Sequence, residues 1–90
     1  MTDRELVELL AKELSDRHQV RKLTGLEELW AVTCEYHTRQ ENRYVFTRNV
    51  IAENIIDAIN DLGDIMDKLM EKFNLSDYHI LSATIIPELH

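Results

Sequence analysis

Apolar residues recur along this chain with two different periods, and the switches between them mark out five elements. Leu6, Leu10 and Leu14 stand at helical spacing, with Val7 and Ala11 beside them and Glu5, Glu8, Lys12, Glu13 and Asp16 on the other side. Thr2-Asp3-Arg4-Glu5 reads as a capping box, so a helix is predicted from about Asp3 to about Asp16, with Leu9 off its main stripe. Residues 17–25 leave helix and loop both open, and Gly25 punctuates their end. From Leu29 to Thr38 the period drops to two: Trp30, Val32, Cys34 and Tyr36 alternate with Ala31, Thr33, Glu35 and His37, the pattern of a strand with one buried face. A polar turn at residues 39–42 leads to a β-branched and aromatic second strand at residues 44–52. Its inward face stays ambiguous, because Tyr44, Phe46 and Val50 compete with Val45, Thr47 and Ile51; a bulge near Arg48-Asn49 would bury both halves.

Helical period returns from about Glu53 to Phe73. Ile55, Ile59, Leu62, Met66, Leu69 and Phe73 share one stripe at ~100° per residue. Gly63, at the edge of that stripe, predicts the close approach of another backbone, and Asn74 is a natural stop. A last strand is expected from Tyr78 to Ile86, ended by Pro87. A helical crossover returns the third strand parallel to the second. Set beside the first, it completes a three-stranded, mainly antiparallel sheet with the first strand central. The expected fold is therefore α+β, a two-layer sandwich in the order helix-strand-strand-helix-strand. Both helices cover one face, and Thr33, Glu35 and His37 lie on the other.

Length and composition fit one domain over residues 1–90, with 44% hydrophobic residues and only two Gly and one Pro. A single cysteine, Cys34, excludes an intrachain disulfide and suits a reducing compartment. The start of the chain lacks the basic-then-apolar order of a secretory signal, and no apolar run nears the ~20 residues of a membrane span. A cytoplasmic protein without membrane contact is expected.

Charge sharpens the picture. The formal net charge is −7, with the segment from residue 49 onward strongly acidic and the middle of the chain mildly basic. Such acidity works against general binding to nucleic acid or anionic lipid. Glu53, Asp57, Asp61, Asp64, Asp67 and Glu71 face the same way on the long helix, balanced only by Lys68 and Lys72. A helix side that serves only solvation usually interleaves both signs. These six carboxylates are the candidate contact for a basic protein surface; a plain solvated helix face is the alternative. They do not match a calcium loop, whose oxygen ligands alternate along a non-helical segment. Arg39, Arg43 and Arg48, set among Tyr36, Tyr44 and Phe46, are a second candidate contact, for single-stranded nucleic acid. The net acidity favours the other reading of these residues, in which the aromatics belong to the core and the arginines guard an edge strand against aggregation.

Enzyme signatures are missing: there is no nucleophile elbow, zinc-binding helix, phosphate loop or dinucleotide turn. Cys34 and His37 lie three apart on a strand and so face opposite sides, and His18, His37, His79 and His90 show no ligand spacing. Neither catalytic residues, nor a metal, nor a cofactor is expected.

Residues 44–90, "YVFTRNVIAENIIDAINDL…YHILSATIIPE", resemble a strand-helix-strand unit of small phage-encoded inhibitor and accessory proteins. In these a strand runs into "A-E-x-x-x-D/E-A" and a helix. Ala52, Glu53, Asp57 and Ala58 carry the likeness, which covers about half of the chain. In this respect the unit is similar to a coliphage inhibitor of host RNA polymerase, and in size and acidity the chain is similar to some anti-CRISPR proteins. The helix at residues 3–16 departs from the polymerase-inhibitor pattern, and no functional residue is carried over. The resemblance implies only a class: small, non-enzymatic and partner-binding. The partner expected for the acidic row is a basic protein surface, such as that of a nucleic-acid-handling complex. An assembly protein that self-associates as a homodimer through the edge of residues 44–52 is the other expectation.

Overall fold

The computed structural model describes residues 2–14 and 25–87. The ambiguous stretch at residues 17–24 and positions 15 and 16 of the first expected helix lie outside the described residues. Helix α1 spans Asp3–Glu13 and is capped by Thr2, whose hydroxyl accepts from the Glu5 amide at 3.3 Å and donates to the Glu5 carboxylate at 3.2 Å. Strands β1 (Glu28–His37) and β2 (Arg43–Ala52) form a hairpin, helix α2 covers Ile55–Phe73, and β3 covers Asp77–Ile86. The sheet order is β2-β1-β3, with β1 antiparallel to both neighbours. The α+β architecture expected from the periodicity is the one observed.

One face of the sheet is covered. Trp30, Val32, Cys34 and Tyr36 of β1 are buried in a single cluster with Leu6, Leu10 and Leu14 of the α1 region and Ala58, Leu62, Met66 and Leu69 of α2. The opposite face carries Ala31, Thr33, Glu35 and His37, all partly exposed. Trp30 buries its ring by donating its indole N–H to the Ala52 carbonyl at 3.0 Å, which satisfies the one polar group it brings inside.

Two details correct the sequence expectation. The β1–β2 register runs without a break from Glu28↔Ala52 to His37↔Arg43, so no bulge interrupts β2. Tyr44, Phe46, Arg48 and Val50 point inward opposite Tyr36, Cys34, Val32 and Trp30. A charged side chain can occupy this face because Arg48 reaches the end of α1, where its Nη1 donates to the Leu14 carbonyl at 2.6 Å. The irregularity falls in β3 instead. Thr33 pairs with Ser82 and Cys34 with Ile80, which leaves Leu81 as the extra residue of a bulge. The second correction concerns Gly63. A Cβ built there meets only the Tyr78 hydroxyl, at 3.8 Å, and no backbone. Glycine in a helix interior costs about 1 kcal/mol against alanine, and nothing within the described chain requires it.

One end of the molecule is laced by hydrogen bonds. Asp3 at the start of α1 accepts from the Thr38 hydroxyl at 2.8 Å and from the Asn42 amide, which fastens the helix to the hairpin turn. Asn74 takes the left-handed conformation at φ 53 and stops α2, as its residue type predicts. Arg39 donates to its carbonyl and side-chain oxygen at 3.3 Å.

Candidate functional site

The acidic residues take their positions from the start of α2. Asn54 caps the helix by accepting from the Asp57 amide at 2.9 Å, and its own amide donates to the Asp57 carboxylate at 3.1 Å. Asp57 therefore sits at the positive end of the helix dipole. At 3.6 residues per turn, Asp61, Asp64 and Glu71 follow on the same outer side, with Asp67 at its margin. All five are exposed. Glu53 is exposed too, but it precedes the cap and belongs to the bend between β2 and α2 rather than to the helix.

Within the row the carboxylates differ. Asp67 accepts from the Tyr78 hydroxyl at 2.7 Å, so it also braces α2 against β3. That bond, with burial behind it, pushes the Tyr78 phenol up to about 12. Asp61 is held above the ordinary carboxylate range, first by burial and then by the negative charges of Asp57 and Asp64. The bases that might offset the row are few: Lys72 turns away to pair with Glu13 of α1 at 2.6 Å, which leaves Lys68 as the basic side chain of α2 among the acids. Where α2 begins, Glu27, Glu53, Asp57, Asn60 and Asp61 line a shallow groove of about 420 Å³ with Ile51 and Ala52. Sequence reading missed Glu27 because it lies outside the helix; β-pairing of Glu28 with Ala52 brings it there.

The three arginines are not brought together. Arg39 is bonded to the end of α2, Arg43 pairs with Glu35 on the open face of the sheet, and Arg48 points under the sheet. On the open face, the register assembles a second polar group that linear spacing hid. The Asp77 carboxylate meets His37 Nδ1 at 2.5 Å and His79 Nε2 at 3.7 Å. Among the described residues, no group of three or more His, Cys, Asp or Glu side chains is arranged to hold a metal ion.

Cys34 is fully buried, and burial pushes its thiol up to about 11. It stays protonated at neutral pH and packs as a small apolar side chain. A cleft of about 280 Å³ lies between the hairpin turn and the end of α2, and its charged lining residues, Asp3, Arg39 and Lys72, are engaged in the bonds described above. Among the described residues no helix is long and apolar enough to cross a membrane. Comparison of the chain with known protein families, with characterised proteins and with solved structures finds no match.

Proposed function

We propose that this protein is a non-enzymatic binding module that lays the outer side of α2 on a basic surface of a partner protein. The observation that carries the reading is the unbalanced row itself: exposed Asp57, Asp61, Asp64 and Glu71, continued by Glu53 and Asp67, with Lys72 drawn away to Glu13. Mutual repulsion along the row, felt at Asp61, is relieved when cationic side chains arrive. A partner's lysines and arginines supply such charges, and surfaces of that kind belong to proteins that handle nucleic acid. The groove lined by Glu27, Glu53, Asp57 and Asp61 gives one cationic side chain a recessed place in the contact. The likeness to small phage-encoded inhibitors suggests the consequence, occupation of a nucleic-acid-binding surface in place of its ligand.

Affinity capture from a bacterial lysate at low salt, with nuclease added, tests this reading. The native chain retains a nucleic-acid-handling protein, and the Asp57→Lys/Asp61→Lys/Asp64→Lys variant does not. With the partner in hand, association slows as salt is added, by about tenfold or more between dilute and physiological buffer. Equal retention by native chain and variant rejects α2 as the contact.

A further inference from the structure

Among the described residues the sheet order leaves β2 and β3 as edges, and the two are guarded differently. Strand β2 carries Arg43 and the inward-turned Arg48, both devices that discourage strand addition. Strand β3, DYHILSATII, contains no lysine, arginine or proline over its ten residues. Its guards are the bulge at Leu81 and the charge of Asp77 at its first position. Leu81 and Ile85 remain about half exposed, at 48% and 47%. Above this edge stands the side of α2 that holds Gly63, next to the Tyr78 hydroxyl. Ile56 lies seven residues earlier, two turns away on the same side, and is 66% exposed. Edge and helix side together form one exposed strip among the described residues, in which Ile56, Leu81 and Ile85 stand beside the polar Asn60, Asp67, Ser82 and Thr84, with a glycine in it that the described chain does not need.

A second copy of the same chain fits that strip. We infer that the protein forms a two-fold dimer through β3. The two β3 strands pair antiparallel and join the sheets into six strands, while Ile56 of each α2 packs on Gly63 of the other copy. A two-fold axis midway between these positions sets each isoleucine opposite a glycine. Helices standing side by side over a shared sheet pack at roughly 8–10 Å, and the missing Cβ at position 63 makes room for the isoleucine between them. Ten strand residues reach about 33 Å. Over a depth of roughly 20 Å from open face to helix layer, the strip offers on the order of 650 Å² per copy, near the roughly 800 Å² of specific interfaces. Each copy carries −7, so the dimer forms against charge repulsion and tightens as salt screens it. That is the opposite salt response to the proposed partner contact, and this inference does not rest on that reading.

Sedimentation equilibrium of the purified chain at low and high salt tests it. The expected result is a dimer mass, with dissociation weakened by salt. Ile56→Asp and Gly63→Leu each loosen the dimer by about tenfold or more, as truncations at the centre of an interface do. Asp at position 56 suits the first turn of a helix, and circular dichroism of both variants verifies that they are folded. Val45→Asp, on the β2 edge, leaves the dimer intact. A monomer at every concentration in high salt overturns the inference. So does a dimer that ignores both Ile56→Asp and Gly63→Leu, whether or not Val45→Asp breaks it.

Discussion

At the scale of single residues, Asp61 shows how a side chain can weigh against the fold that holds it. Its carboxyl titrates above the ordinary range in the folded chain, because of burial and then because of Asp57 and Asp64. A raised carboxyl favours the protonated form in the native state. Its contribution is therefore fullest below the unfolded value and is lost as pH rises through the folded one. At neutral pH the charge at position 61 opposes folding, and Asp61→Asn raises the denaturant midpoint. The gain shrinks as the pH is lowered into the carboxylate range, where Asp61 itself becomes neutral. Urea titrations of both chains at neutral and acid pH check the sign; an Asn variant less stable at neutral pH contradicts it. The same scale marks where sequence reading ended. That Asp57, Asp61 and Asp64 share an outer side was legible from spacing alone. That Asp67 doubles as a brace for Tyr78, and that Lys72 leaves the row for Glu13, depends on neighbours 11 and 59 positions away, which no local pattern encodes.

At the scale of elements, both helices and all three strands were legible, because each owes its form to a period that local sequence states outright. Two of the ends were legible as well, the Thr2 cap and the Asn74 stop, whereas the Asn54 cap, which starts α2 two residues later than expected, was not read. The inward face of β2 was not legible. Either set of alternating residues is apolar enough, and the choice is made by the register against β1 and by a carbonyl at the end of α1 that receives Arg48. The bulge moved to β3 for the same reason, since ladder length is a property of a pair of strands and not of one. Leu62 lies where the elements meet: it is fully buried in α2 among residues from the sheet. Leu62→Ala removes that packing and leaves a cavity, and it lowers the unfolding free energy by about 2–5 kcal/mol. A loss below about 1 kcal/mol by chemical denaturation would show that α2 collapses into the gap or packs less tightly than described.

For the whole molecule, charge is the dominant collective property. A net −7 on 90 residues repels itself in the compact state. Moderate salt is expected to raise the thermal midpoint, and a midpoint that falls instead would mean that ion pairs such as Lys72–Glu13 outweigh the repulsion. The order β2-β1-β3 also has a temporal side. Strands β1 and β2 are joined by a short turn and can find each other early, whereas β3 pairs with β1 from some forty positions away, Asp77 against His37. Until that distant strand arrives, the central strand is itself bare along one side. Half of the sheet thus waits on α2 to form and swing its successor into place, and the helix that carries the acidic row doubles as the arm that completes the fold.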